Sequence, residues 1–179
     1  FSTENWKRST EEVLGLMALF ARYIRREADR MRRDGVRMRF IGDRSRLEPK
    51  LQKLFEWIET ETASNDRMHL CVAINYGGRD EIRRAVQTIA QDVARGALDP
   101  DEVTDDLISG KLDSARLPDP DLVVRTSGEV RVSNFLLWQA AYAEYVFIPT
   151  LWPDFTPGTM ADILTDFDKR ERRFGTVTP

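Results

Sequence analysis

The residues best suited to chemistry lie in Arg125-Thr-Ser-Gly-Glu-Val-Arg-Val-Ser133, between a short apolar run and a segment that reads as a helix. Guanidinium groups fork onto phosphate oxygens, so Arg125, Arg131 and Ser133 could wrap a phosphate. Gly128 permits a tight turn, and a helix opening at Ser133 would offer free N–H groups to an anion. The competing reading is a surface loop whose arginines pair with Glu129 and other acids.

Glu144 follows that apolar helix and precedes Tyr145-Val-Phe147, an awkward place for a charge. A carboxylate there could share Mg²⁺ with a bound diphosphate, since Mg²⁺ takes one or two carboxylates plus phosphate oxygens. An ion pair with a nearby arginine explains it equally well. Phe1-Ser-Thr-Glu-Asn-Trp-Lys-Arg8 places Ser2, Glu4, Asn5, Trp6 and Arg8 before a capped helix, a polar set beside an apolar wall. On types alone, ordinary cap and loop chemistry accounts for it. The segment is too polar and specific to resemble a natural start, so upstream sequence is expected. Asn75-Tyr-Gly-Gly-Arg79 lacks GxGxxG and a Walker lysine and reads as a tight strand-to-helix turn. His69 and Cys71 fall in or beside a strand and read as structural. The arginines from Arg22 to Arg33 share a helix with Glu27 and Asp29. They read mostly as a solvated face, with attraction to anionic lipid headgroups as the alternative.

Composition narrows the classes. The chain has 179 residues, 41% hydrophobic and 32% charged, enough for a packed core and the size of a single domain. Lys plus Arg total 27 against 30 Asp plus Glu, so the net charge is -3 and no basic excess marks a nucleic-acid binder. One cysteine excludes an intrachain disulfide, and one histidine a His-rich zinc site. No apolar run reaches the roughly 20 residues of a membrane span. A soluble, cytoplasmic protein is expected.

Helical and strand patterns alternate. Ser9-Thr10-Glu11-Glu12 has capping-box spacing, with Glu12 placed to reach back to the Ser9 amide. Val13 to Met31 follow at helical spacing until Gly35. Val36–Ile41 alternates as a strand, and Leu47, Leu51, Leu54 and Ile58 mark a second helix. Leu70–Ile74 and Leu122–Val124 read as strands buried on both faces. Ile82, Val86, Ile89 and Val93 mark another helix, and a short one is expected from Val103 to Ile108. An apolar helix is expected from Ser133, then a strand over Tyr145–Phe147. Thr156-Pro157 starts the last helix, with Met160, Ile163, Leu164 and Phe167 as its core face. The fold class is α/β, a Rossmann-like parallel sheet covered by helices, with ligands beyond the carboxyl ends of the strands.

Three blocks carry a resemblance: Phe1 to Arg8, Asn75 to Arg79, and the long run from Arg125 through Asn134-Phe-Leu-Leu-Trp-Gln139 to Glu144. Together with Leu151-Trp-Pro-Asp-Phe155 and Arg170-Glu-Arg-Arg-Phe-Gly175, the chain resembles the cis-prenyltransferases over its whole length. The resemblance implies successive condensations of isopentenyl diphosphate onto an allylic diphosphate such as farnesyl diphosphate, giving a long polyprenyl diphosphate, undecaprenyl in length, for a cell-wall lipid carrier. It implies that Arg125, Arg131, Val132 and Ser133 bind isopentenyl diphosphate and that Asn5 helps remove the proton. It implies that Ser2, Thr3, Glu4, Trp6 and Arg8 line the substrate pocket, and that Glu144 binds Mg²⁺ near the shared face of a homodimer. Leu16, Met17 and Phe20 become candidate tunnel walls, Phe135 to Phe147 a candidate dimer interface, and product release a peripheral membrane contact. A strand and a Met-Asp-Gly-Asn-Gly-Arg-Trp loop, carrying the essential aspartate, are expected ahead of Phe1. The alternatives are a non-catalytic partner subunit of a prenyltransferase and, on Gly77-Gly78 alone, a nucleotide-binding domain.

Overall fold

Strict alternation makes Val36–Ile41 a strand, β1, whose Val36, Met38 and Phe40 point into the core and whose Arg37 and Arg39 point away. β1 pairs in parallel with β2, Met68–Ala73, from Val36↔Met68 to Ile41↔Ala73. Two helices cover the apolar face of β1. The first, α1, is Thr10–Arg33, and the second, α2, is Pro49–Glu61. Phe40 stacks on Phe55 with ring centroids 4.0 Å apart, and Phe20 meets both edge-on. Phe55 and Ile58 are fully buried. The edge of β1 away from β2 is closed by side chains. Met38 N donates to Thr62 Oγ1 at 3.0 Å, Phe40 N to Glu59 Oε1 at 2.9 Å and Gly42 N to Asp113 Oδ2 at 3.1 Å. A strand edge capped in this way cannot recruit another strand there.

This computed structural model describes residues 1–170. The chain divides into two units: Phe1–Leu117 with Asn134–Leu136, and Pro118–Ser133 with the residues from Leu137 on. The first also holds α3, Gly78–Ala94, and the short α4, Asp105–Ser109. The second holds β3, Leu122–Arg125, paired in parallel with β4, Glu144–Phe147, and α5, Pro157–Asp168, capped by Thr156. The class is α/β with parallel sheets and helices, as expected. Among the described residues no helix is long and apolar enough to cross a membrane.

Several local expectations are corrected. Ser9 caps α1 by accepting from Glu12 N, but the Glu12 carboxylate bonds Arg8 at 2.6 Å, so no capping box closes. β2 starts at Met68, with Met68 and His69 exposed and the rest half-buried, so it is not enclosed on both faces. α3 buries Glu81, Ala85, Ile89 and Asp92, while Val86 is exposed. The buried acids find partners: Tyr76 Oη and Asp113 N donate to Glu81, and Lys111 and Arg95 to Asp92. On α5 only Ile163 is buried, with Phe167 half-buried; Met160 and Leu164 are exposed.

The largest departure follows Ser133. No helix forms there; the chain runs as turns until β4, with positive φ at Ser133, Asn134 and Leu136. Asn134 explains it. Its carbonyl accepts from Gly78 N at 2.7 Å, its Oδ1 accepts from Arg79 N at 2.8 Å, and its Nδ2 donates to Glu4. A helix would spend that carbonyl on the amide four residues on. Asn tolerates the left-handed conformation this arrangement demands.

Candidate active site

In the first unit the segment before α1 is strapped to the end of β2. Phe1 N donates to Ala73 O at 3.2 Å, Tyr76 N to Phe1 O at 3.3 Å and Thr3 N to Tyr76 O at 3.1 Å. Residues Thr3–Lys7 then turn through a 3-10 helix. Asn5 Oδ1 accepts from Ser2 N at 2.7 Å and from Ser2 Oγ at 3.1 Å. Because Ser2 N–H can only donate, the amide orientation is fixed. The Asn5 Nδ2 group makes no hydrogen bond among the described residues and is left as a free donor. Trp6 stands edge-on to Phe1, carries the Arg46 guanidinium over its face at 5.1 Å, and donates its indole N–H to Asn75 Oδ1 at 2.6 Å. Glu4 accepts from Asn134 Nδ2 at 2.8 Å, and that bond holds its carboxyl below the ordinary range. Arg8 is exposed and paired with Glu12, apart from this cluster of contacts.

Asn75 and Asn134 organise the segment, and neither stood out from its residue type. Asn75 is 1% exposed at φ 51°, and its Nδ2 donates to Asp43 O at 2.7 Å. Its side chain therefore ties the Trp6 indole to the turn after β1. Gly42 lies in that turn at φ 111°, and a Cβ there would sit 2.1 Å from Ile74 O, so only glycine fits. Asn134 takes the first amides of α3, which makes Asn75 to Arg79 the tight turn expected rather than a phosphate loop. Cys71 is half-buried, and burial pushes its thiol up to about 11, so it stays protonated at neutral pH.

In the second unit Arg125 ends β3, and its guanidinium donates to Arg131 O at 2.8 Å. Gly128, at φ 67°, and Ser127 close the loop through amide bonds to Ile148 O and Thr150 O. Arg131 pairs with Glu129. The loop thus gathers Arg125 and Arg131 and continues into Val132 and Ser133, but without the helix N-terminus expected beyond Ser133. The arginine–Glu129 pairing weighed above is present for Arg131. Glu144 opens β4 opposite Leu122, three strand positions from the Arg125↔Phe147 pair. That is about 10 Å at roughly 3.3 Å per residue, so Glu144 sits at the other end of this strand pair. Its Oε2 accepts from Arg170 at 2.6 Å. Of the Arg170 to Gly175 motif only Arg170 lies within the described residues.

Sequence comparison decides what these clusters belong to. A family model described as "Putative undecaprenyl diphosphate synthase" matches residues 1–175. The chain belongs to the undecaprenyl diphosphate synthase family. It is 49% identical over 179 residues to an isoprenyl transferase of Brucella abortus, covering all of this chain and 70% of that one. It is 47% identical over 175 residues to the ditrans,polycis-undecaprenyl-diphosphate synthase ((2E,6E)-farnesyl-diphosphate specific) of Xanthomonas axonopodis pv. citri, covering 98% and 68%. Among solved structures, lavandulyl diphosphate synthase from Lavandula x intermedia in complex with dimethylallyl diphosphate superposes with a TM-score of 0.94 at 35% identity, covering 98% of this chain and 76% of that one.

Family membership also frames the metal question. Among the described residues no group of three His, Cys, Asp or Glu side chains could hold an ion on its own. A single carboxylate such as Glu144 fits Mg²⁺ only where diphosphate oxygens fill most of the shell, the usual arrangement for Mg²⁺ on phosphates.

Proposed function

We propose that this chain carries the prenyl-transfer machinery that adds isopentenyl diphosphate repeatedly to an allylic diphosphate, building a polyprenyl diphosphate of undecaprenyl length. The observation that carries the reading is the loop at the carboxyl end of β3, where the Arg125 guanidinium bonds the Arg131 carbonyl and so holds both arginines in one turn. Ligands of parallel sheets bind beyond that end of the strands. In this reading Arg125, Arg131 and Ser133, with Val132 between them, bind the diphosphate of isopentenyl diphosphate. Arg131 exchanges Glu129 for phosphate when substrate enters. Asn5 donates through Nδ2 to a substrate oxygen, with Ser2 fixing its orientation, and Thr3, Glu4 and Trp6 complete the lining around it, while Arg8 stands outside that cluster on Glu12. Its carbonyl oxygen is already taken twice by Ser2, so Asn5 positions substrate rather than accepting a proton.

The growing chain needs a dry apolar wall. Leu16, Leu19 and Tyr23 recur at helical spacing on α1 and are exposed at 37%, 62% and 58%. Of the tunnel walls expected above, Leu16 fits this stripe, whereas Phe20 is committed to the core and Met17 to a cleft between α1 and α2. Glu144, about 10 Å from the Arg125 end of its own strand pair, would hold Mg²⁺ on diphosphate oxygens at the shared face of the homodimer, where the bound ion would offset diphosphate charge. We take both units as parts of one synthase domain, since the family match runs through both. Incubation of the full-length protein with isopentenyl and farnesyl diphosphates should yield a ladder ending near undecaprenyl length. Absence of any extended product would reject the reading, and would favour the non-catalytic subunit.

A homodimer belongs to the same proposal. Leu137, Tyr142 and Phe147 are exposed at 37%, 82% and 39%, an apolar group that a symmetric pair would bury. Light scattering at micromolar concentration should report twice the chain mass, and a monomer would remove this part of the proposal.

A further inference from the structure

Five of the six arginines of α1 divide into two sets. Toward its carboxyl end Arg26, Arg30 and Arg32 pair with Glu27, Asp29, Asp34 and Glu61 at 3.5–3.7 Å. Arg22 and Arg25 form no ion pair among the described residues, and neither do Lys50 and Lys53 across from them on α2. These four groups border two adjoining clefts between the helices. One, of about 760 Å³, is floored by Val13, Leu14, Met17, Ala18 and Leu51; the other, of about 510 Å³, ends at Trp57. Arg25 and Lys50 line both, and Glu48 is the one acid on either wall. Leu14 and Trp57 stand out from this face at 52% and 45% exposure.

We propose that this face docks on the surface of an anionic phospholipid bilayer, with Arg22, Arg25, Lys50 and Lys53 on the headgroup phosphates and the larger cleft receiving an acyl chain. Charge complementarity selects the occupant. The chain as a whole is acidic, yet four cations without an ion pair among the described residues line two adjoining clefts between α1 and α2. Cations spread along an apolar surface suit a plane of negative headgroups, whereas a single soluble phosphate calls for donors that converge. Trp57 at the rim has the amphipathic ring that settles at headgroup depth. Arg26, Arg30 and Arg32 are neutralised by neighbouring acids, so among the described residues the two clefts hold four of the five cations of α1 and α2 without an ion pair, Arg33 at the end of α1 being the fifth. The inference rests on the proposed function in one respect: a polyprenyl product belongs in a bilayer, and an enzyme docked there releases it without passing the tail through water.

The test compares vesicles of equal parts phosphatidylglycerol and phosphatidylcholine with vesicles of phosphatidylcholine alone, by co-sedimentation and without substrate. The protein should prefer the anionic vesicles, and high salt should release it. Each basic side chain near such a surface changes affinity about fivefold, so Lys50→Ala with Lys53→Ala should weaken binding roughly 25-fold. Alanine keeps α2 helical, which circular dichroism checks. The blue shift of tryptophan emission on adding vesicles should fall in Trp57→Phe. Elongation of farnesyl diphosphate in detergent solution should match the parent in the double variant, because neither lysine belongs to the substrate machinery. Equal binding to both kinds of vesicle, or undiminished binding by the double variant, would overturn the proposal. A parent protein that binds vesicles but elongates nothing would reject the proposed function and leave the docking surface standing.

Discussion

Asn5→Asp should abolish nearly all prenyl transfer while leaving the protein folded, and it should be worse than Asn5→Ala. The Asn5 oxygen accepts from both the backbone and the hydroxyl of Ser2, so an aspartate preserves those two bonds and the 3-10 turn. What it removes is the free N–H donor, and what it adds is a negative charge where a diphosphate is expected. A hydrogen bond to a charged group contributes about 1.5–3 kcal/mol, so Asn5→Ala should cost roughly 10- to 150-fold. Repulsion between unit charges about 4 Å apart adds up to about 4 kcal/mol at an effective dielectric of 20, which carries Asn5→Asp to roughly a thousandfold or more. If Asn5 were the proton acceptor, aspartate would be the stronger base and would retain or raise the rate. Measuring kcat and KM for alanine, aspartate and parent, with thermal midpoints as the control on folding, separates these outcomes. An aspartate variant more active than the alanine variant would sink the donor assignment.

How much of this was legible beforehand depends on where each element's partners lie. β1 was found at its observed limits because its own alternation dictates which residues enter the core. The caps of α1 and α5 are local too, each a hydroxyl reaching an amide three residues on. α3 misled because its buried stripe mixes the acids Glu81 and Asp92 with Ala85 and Ile89, while Val86 of the apolar series is exposed. Glu81 is buried at 1% with Tyr76 and Asp113 bonded to it, and Asp113 lies 32 residues away. Periodicity cannot register a charge made tolerable by so distant a partner. The run Phe135-Leu-Leu-Trp138 has helical spacing, but Asn134 had already been claimed by Glu4, Gly78 and Arg79.

The site shows the same division. Arg125 and Arg131 stand out by guanidinium chemistry and sequence proximity, and one loop holds both. The reason offered for the anion site, a following helix terminus, was wrong, while the positive-φ turn at Ser127 and Gly128 does the shaping instead. Asn75 could not be found by type, since an asparagine in a turn is ordinary. Its importance comes from joining Trp6, 69 residues away, to the turn after β1.

Glu144→Gln should lower prenyl transfer roughly a hundredfold at limiting Mg²⁺ and recover part of the loss as Mg²⁺ is raised, with little change in thermal midpoint. Magnitudes decide between the two roles open to this carboxylate. Its ion pair with Arg170 is partly solvated, with the side chains 25% and 37% exposed. Such a pair contributes about 0–1 kcal/mol, so its loss alone should alter activity less than about fivefold. Removing a carboxylate that neutralises a metal–diphosphate complex should cost about 3 kcal/mol, of the order of a charged hydrogen bond. Glutamine keeps the volume and one oxygen for Arg170, which isolates the charge. Arg170→Met supplies the second arm: it breaks the same ion pair and leaves the carboxylate, so its Mg²⁺ dependence should stay normal or shift to lower concentration as the competing cation is gone. Calorimetric titration of Mg²⁺ with a non-reacting isopentenyl diphosphate analogue gives a readout besides activity, and Glu144→Gln should weaken that ternary binding. If both variants instead lose thermal stability together and bind Mg²⁺ with the parent's affinity, Glu144 serves the fold through Arg170 and the metal assignment falls.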